Sequence, residues 1–449
     1  MSILPSDGLV EEGAAIAKGA DRSIDDAPLN RFHVKMTILT FGAHFTAGYV
    51  MGSIALALAG LCSCMEVSAT WQGLLGSSAL VGVFVGSVLT GLVSDKFGRQ
   101  KIFLMSFVVI TIAAALQYFA TGPMNLFVLR IIVGMAIGAD YSVGVTLLTE
   151  VLPRKERGPL LGCLVAVWTV GYVAASFAGV FVFAPIDWNM LLASSAIPAF
   201  IVLLLRAGTP ESPRWLASKG RHEEAQAIID EFIGEGYVLE EEPLTEKLGV
   251  KALFNRKTIR SLAFVCIFWS LNVIPYFGVY TFLPILLQEF GFPETQLVDI
   301  ALNVVLLAGA IAGVFLIAKC TRRILSISTF AVSGTCLVVL AILPEGSTIA
   351  QVMAFALFTI TIAAQGDMTS VYPAEVFPTE TRSTCIGIAT GFSRFASALG
   401  TFALPVIVAS CGVSFALGLL GALSFAGLVL CMLFAPETKG LSLVEASSV

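Results

Sequence analysis

Charge is what this chain lacks. Only 13% of its 449 residues are Asp, Glu, Lys or Arg, against roughly 25% in a soluble domain. The hydrophobic fraction is 57% and the mean hydropathy is +0.90. That much apolar surface cannot be hidden in water-soluble cores. Intrinsic disorder needs few apolar residues and high net charge, so it is excluded too. A net charge of −5 argues against a nucleic-acid partner. Histidine is scarce: His33, His44 and His222 are too far apart to point to a metal, and no cofactor is expected. There is no GxxxxGK[ST] phosphate loop, which speaks against an ATP-driven pump, and no Asn-x-Ser/Thr sequon. The first 34 residues hold no apolar segment or cleavage site, so no signal peptide is read there. The nine cysteines are scattered, mostly in apolar stretches, and read as small apolar residues.

What the chain has is long apolar runs. Twelve stretches reach the length of about 20 residues that a membrane-spanning helix needs. They lie near 35–61, 71–94, 102–121, 125–149, 158–184, 188–206, 261–287, 297–318, 324–344, 350–372, 383–410 and 413–435. The runs are continuously apolar rather than alternating, which favours helices over barrel strands. The expected fold class is an all-α polytopic membrane protein with 12 transmembrane helices.

Charge then sets orientation. Of the 26 Lys and Arg, 24 fall on one side, including nine between spans 6 and 7 from Arg206 to Arg260. The two others, Arg130 and Arg394, lie inside spans. The opposite side carries only acids: Glu66, Asp187, Glu289, Glu294 and Glu345. The positive-inside rule puts both termini in the cytoplasm. Short outer loops and the missing sequon point to the cytoplasmic (inner) membrane of a bacterium.

The chain also repeats itself. Glu150-Val-Leu-Pro153 with Arg157 follows span 4, and Glu375-Val-Phe-Pro378 with Arg382 follows span 10, 225 residues later. Pro210-Glu211 and Pro436-Glu437 recur after spans 6 and 12. The organisation expected is a tail (1–34), a six-helix bundle (35–206), a linker with an amphipathic helix at Arg221–Ile233 (207–260), a second bundle (261–435) and a tail (436–449). Such a repeat implies two bundles related by a pseudo-twofold axis along the membrane normal, with a site between them.

These motifs carry a resemblance. Gly91-Leu-Val-Ser-Asp95-Lys-Phe-Gly98-Arg99 resembles the loop motif of the major facilitator superfamily. Pro210-Glu-Ser-Pro-Arg214-Trp-Leu216 and Pro436-Glu437-Thr-Lys-Gly440 resemble motifs of its sugar porters and related carriers. The run from Arg130 through Gly134, Gly138, Asp140 and Tyr141 to Glu150 is similar to a span-4 signature of phosphate:proton and metabolite symporters. Tyr372 to Thr379, with Ser393-Arg394, is similar to aromatic-acid:proton symporters. The span-1 acid of proton-driven sugar porters is absent, since that stretch reads Gly48-Tyr49-Val50-Met51-Gly52, and the second loop motif reads Lys319-Cys-Thr-Arg-Arg323 without its Asp. The resemblance implies a latch at Asp95, Gly98 and Arg99, closed in the outward-facing state. It also implies a salt-bridge network of Glu150 with Arg157 and Glu375 with Arg382, breaking as the inner gate opens. Glu211, Arg214 and Glu437 belong to the same gating motifs.

Charged and polar residues within the spans are the candidate substrate and proton pathway. Asp140 lies ten residues above Glu150, about 15 Å deep at ~1.5 Å per residue. A charge there needs a partner or a water-filled cavity. Asp140 is thus a proton carrier or substrate ligand, or else a structural pair to a neighbouring helix. Arg394 and Asp367 either neutralise each other, or Arg394 faces the cavity and grips a carboxylate with its planar fork. Arg130 closes an outer gate, contacts substrate or snorkels. His44 replaces the missing acid or is structural. Tyr49, Tyr141, Trp168, Trp269, Asn272, Tyr276, Tyr280 and Gln365 offer aromatic faces and polar tips, part lining and part packing. The implied function is a secondary active transporter that moves a small polar metabolite, an organic or aromatic acid, with protons. A facilitative or efflux carrier of sugars or organic cations stays open, as does a nutrient receptor that moves nothing. The expected partners are the substrate, protons and the bilayer, for a monomer.

Overall fold

A computed structural model describes residues 22–183, 188–239, 255–292, 295–344, 347–377 and 382–439. Twelve of its helices are long and apolar enough to cross a membrane. Spans 1 to 6 are Arg31–Cys64, Ala69–Thr90, Arg99–Phe119, Pro123–Val151, Arg154–Val182 and Trp188–Arg206. Spans 7 to 12 are Thr258–Thr281, Thr295–Lys319, Arg322–Ile342, Thr348–Pro373, Thr384–Cys411 and Val413–Phe434.

The helices form two six-helix bundles with one packing scheme. Span 2 packs along span 4, span 1 along span 5, and span 3 along spans 4 and 6. Six helices later, span 8 packs along span 10, span 7 along span 11, and span 9 along spans 10 and 12. The bundles meet through span 2 against span 11 and span 5 against span 8, which exchange under the pseudo-twofold. Small residues permit this closeness, as membrane helix pairs require. A Cβ at Gly86 would strike the Met135 carbonyl, and one at Gly134 the Ala79 carbonyl.

Two local features differ from the sequence reading. Span 7 was read as one run to residue 287, but the helix stops at Thr281 and a short helix resumes at Leu283–Glu289. Pro284 causes the break, because it has no N–H to continue the first ladder and its ring fits only a first helical turn. Span 1 begins four residues earlier than read, at Arg31. Asn30 caps it by accepting from the Phe32 and His33 N–H groups at 3.0 Å, while His33 Nδ1 accepts from the Asn30 N–H at 3.1 Å. His33 is therefore a capping residue.

The linker helix lies at His222–Phe232, with Ala225 and Ile229 buried. Asn30 Nδ2 donates to the Phe232 carbonyl at 2.8 Å, and Arg22–Ser23 pairs in parallel with Tyr237–Val238. Tail and linker are thus laid together on the first bundle. They share a face of the molecule with Arg99, Arg157, Arg214 and Arg322, here called the basic face. Toward that face the bundles part: Cβ atoms added at Gly158, Gly162, Gly366 or Gly387 would meet nothing within 4 Å. Toward the opposite face they touch. A Cβ at Gly76 of span 2 would lie 2.9 Å from the Phe282 ring and 3.0 Å from Thr281. The space between the bundles opens on the basic face and is shut on the other.

Candidate functional site

Five spans from both bundles send side chains to one central space. His44 of span 1 accepts or donates through Nδ1 to the Thr40 carbonyl at 3.0 Å and stacks on Tyr141 of span 4, ring centroids 5.0 Å apart. Tyr141 hydrogen-bonds Trp168 of span 5. Trp168 meets Tyr276 of span 7 at 6.4 Å. Arg394 of span 11 lies within electrostatic range of both Tyr141 and His44. These five are half-buried, as residues lining a cavity are. Arg394 has no ion-pair partner among the described residues, and its Nε is buried without a hydrogen bond.

Asp367 does not neutralise Arg394. It packs on span 8, where a Cβ at Gly313 would collide with its Oδ2, and that oxygen has no partner. Gln365 on the same helix is fully buried with both amide atoms unpartnered, and the Asn272 Nδ2 of span 7 is unpartnered as well. Tyr49 is spent within the first bundle, its hydroxyl bonded to Ser194 at 2.8 Å. Tyr280 donates to Thr359 at 2.7 Å and stacks on Tyr276. Trp269 packs against the apolar core. Arg130 is 1% exposed and donates to Ser78 at 3.2 Å, with Nη2 left unpartnered.

Asp140 lies in a buried pair. Its Oδ1 is 2.5 Å from Nη1 of Arg206, whose guanidinium lies over the rings of Phe103 (3.4 Å) and Phe107 (4.0 Å) and donates to the Phe103 carbonyl. Ser106 donates to the same carboxylate oxygen at 3.3 Å. The sequence reading counted Arg206 among the nine basic residues between spans 6 and 7; it is 1% exposed, the last residue of span 6 with its side chain folded back into the bundle. Asp140 therefore holds spans 3, 4 and 6 together and does not line the central space.

On the basic face each bundle carries the same charge network. Glu150 pairs with Arg99 and accepts from Ser212 at 2.5 Å; Glu375 pairs with Arg322 at 3.1 Å and accepts from Thr438 at 2.5 Å. Glu211 accepts from the backbone N–H of Arg99 and Gln100, and Glu437 from those of Arg322 and Arg323, all at 3.0–3.1 Å. Each acid thereby caps the first turn of span 3 or span 9, where the helix dipole favours negative charge. Burial pushes the Glu437 carboxyl up, but the N–H groups of Lys439, Arg323 and Arg322 more than offset that and leave it below the ordinary 4.5. Gly98 sits at φ +90°, and a side chain there would strike Glu211.

The expected partner of Glu150 was Arg157. Arg157 turns instead to Asp25, 2.7 Å away, which also holds Arg214 at 2.9 Å. Burial raises the Asp25 carboxyl, but Arg214 and Arg157 outweigh it and hold it below its ordinary 3.8. The network was also expected to break when the inner gate opens. It is intact here with the basic face open, because both partners of each pair sit in one bundle. The side chains of Asp95 and Arg382 lie outside the described residues. Sequence reasoning missed Asp25, Arg206, Arg322 and Asp299. An acid two residues into the apolar run at 297–318 was the available signal for Asp299.

Comparison with known proteins follows the same lines. The sugar (and other) transporter family model matches residues 27–449. The chain is 44% identical over 429 residues to the inner membrane metabolite transport protein YgcS of Escherichia coli, covering 95% of this chain and 96% of that one. It is 25% identical over 397 residues to the niacin transporter NiaP of Acinetobacter baylyi, covering 86% and 88%. The inward open conformation of the xylose transporter XylE from Escherichia coli superposes with a TM-score of 0.77 at 19% identity, covering 93% and 99%.

Proposed function

The chain belongs to the sugar (and other) transporter family of the major facilitator superfamily, and from that premise we propose that it carries a small organic acid across a bacterial cytoplasmic membrane, with protons, by alternating access. By the positive-inside rule the basic face is the cytoplasmic one. Arg394 carries the reading: it is a cation on the central space with no acidic partner among the described residues, near Tyr141 and His44. A carboxylate accepts two parallel N–H bonds from the guanidinium while its apolar or aromatic body rests on Tyr141, Trp168 and Tyr276. The niacin carrier among the relatives moves an aromatic carboxylate of this kind, which supports the class.

Uptake of radiolabelled nicotinate and benzoate into proteoliposomes, with the interior alkaline, tests this. Accumulation above equilibrium is expected, collapsing when a protonophore removes the gradient. Arg394→Gln should weaken carboxylate affinity by about 1.5–3 kcal/mol, roughly 10- to 150-fold. Unchanged affinity would remove Arg394 as the anion receptor. A second reading rests on the unpartnered amides of Asn272 and Gln365, which suit the hydroxyls of a neutral sugar. Competition by pentoses but not by carboxylates would favour it.

A further inference from the structure

The closed end of the central space holds an acid that the substrate site does not use. Asp299 sits one turn into span 8, 2% exposed, where span 8 meets span 5 of the other bundle. Ser176 of span 5 reaches its carboxyl, and Asn303, one turn along span 8, donates its amide to the Asp299 backbone carbonyl at 2.9 Å. The Asp299 Oδ2 has no partner, and neither does the Asn303 Oδ1. Two buried acceptors are thus short of a donor, which a proton on the carboxyl supplies.

Among the described residues no cation pairs with Asp299, in contrast to Asp140 with its Arg206. Among the described residues, the titratable groups facing it are Tyr172 from span 5 and Tyr280 from span 7. Both phenolic hydrogens are already committed, Tyr172 to the Tyr280 carbonyl at 3.2 Å and Tyr280 to Thr359 at 2.7 Å. Span 10, packed along the other side of span 8, has no charged residue between Thr348 and Gln365, and span 9 is charged only at Arg322 and Arg323, on the far face. Glu289, on the short helix after span 7, is exposed.

Space for water comes within one helical turn of Asp299. A crevice of about 140 Å³ on this side of the molecule is lined by Gly60, Ser63, Gln288, Thr295 and Gln296. It has room for several waters. Thr295, which lines the crevice, lies one turn before Asp299 on the same side of the helix.

We infer that Asp299 is the proton-accepting group that permits the outer gate to close. The proposal rests on the proton-coupled reading above and names the group that takes up the proton. With the gate open, spans 5 and 8 part, Ser176 leaves, and water keeps the carboxylate ionised. A proton from the outer solution then adds to the carboxylate, an O–H bond forms, and the charge disappears. Only the neutral acid can be enclosed between the bundles without a counter-ion.

The experiment has two arms. In reconstituted protein without substrate, infrared pH-difference spectra should show a protonated-carboxyl band that titrates, shifts in Asp299→Glu and vanishes in Asp299→Asn. In proteoliposomes, Asp299→Asn should keep nicotinate counterflow and lose both its pH dependence and the uphill accumulation driven by a pH gradient. Persistence of the band in Asp299→Asn, a wild-type pH profile, or loss of counterflow with uphill uptake in a folded variant would each overturn the assignment. Should Asp299→Asn not fold, Asp299→Glu carries the test, and an unmoved band with an unmoved pH midpoint overturns it. Absence of nicotinate uptake in the wild type would refute the substrate reading, while the infrared arm still decides the role of Asp299.

Discussion

Replacing Asp140 with asparagine would strand Arg206 as a buried guanidinium without a counter-charge. The two groups are 2.5 Å apart, with residue exposures of 3% and 1%. Removing one partner of such a pair costs about 3–5 kcal/mol, because the other is left buried and uncompensated. Part of that is offset here. A cation over an aromatic face is stabilised by ~0.5–2 kcal/mol, and Arg206 rests on two rings, Phe103 and Phe107, besides the Phe103 carbonyl. The net loss expected for Asp140→Asn is therefore near the lower end, about 3 kcal/mol. Asp140→Leu combined with Arg206→Met removes both charges and roughly keeps volume, so it should return to within about 1.5 kcal/mol of wild type. The cycle would give a coupling of at least ~2 kcal/mol, within the range seen for contacting residues. Unfolding in detergent micelles, followed by tryptophan fluorescence, measures wild type, Asp140→Asn, the double variant and the singles Asp140→Leu and Arg206→Met that close the cycle, and counterflow checks that each is competent. If Asp140→Asn proved as stable as wild type yet could not drive uphill uptake, the carboxyl would lie on the proton path and the structural argument would fail.

Other outcomes follow from the basic face. Gly98→Ala places a Cβ at φ +90° against Glu211, so it should cost about 1–2 kcal/mol in unfolding and slow counterflow; no change in either would remove Glu211 as the cap of span 3. Arg99→Gln and Arg322→Gln should each destabilise by about 1.5–3 kcal/mol, since each guanidinium serves the same glutamate of its own half; a large effect of only one would break the symmetry argument. The Asp25 carboxyl is held below its ordinary 3.8, so its contribution is complete above that value and is lost only as pH falls further. Limited proteolysis of the tail should accordingly be constant from pH 5 to 8 in wild type and faster throughout in Asp25→Asn, and a change within that window would contradict the clamp.

Much of the architecture was legible because its signals are local. Span length, apolar continuity and the one-sided basic residues each need only a short window, and the repeat of Glu150 in Glu375 needs only an offset. Partners were not legible, since they depend on which helices touch. Arg206 read as a linker charge because it ends an apolar run, and only the packing of span 6 on span 3 shows that its side chain turns inward. Asp25 lay in a tail with no pattern. The second loop motif looked lost because Thr321 replaces the glycine of Gly98 and the aspartate is gone; yet Arg322 and Glu437 keep the pairing and the cap. The break in span 7 had its signal in Pro284, which an apolar count passes over.

The placement of the ion pairs bears on how the transporter moves. Arg99–Glu150, Arg206–Asp140 and Arg322–Glu375 each lie within one bundle, and Arg157–Asp25 ties the tail to the first. They fix the shape of each half, move with it, and cancel from the free-energy difference between the two gate states. What differs between those states is the cross-bundle face. Among the described residues it consists of ring contacts such as Phe84 with Phe395, the hydrogen bond from Tyr172 to the Tyr280 carbonyl, glycine-to-backbone approaches, and Asp299 with Ser176. Apolar contacts of this kind part and re-form with little directional preference and no dependence on pH. Of the groups enclosed on the closed side, Asp299 is the carboxyl whose charge state alters the cost of closure, so under the coupling proposed above protons enter there if the bundles move as rigid bodies. A variant that breaks Arg99–Glu150 should then shift stability without moving the pH midpoint of transport. A moved midpoint would mean that the bundles deform as they rock.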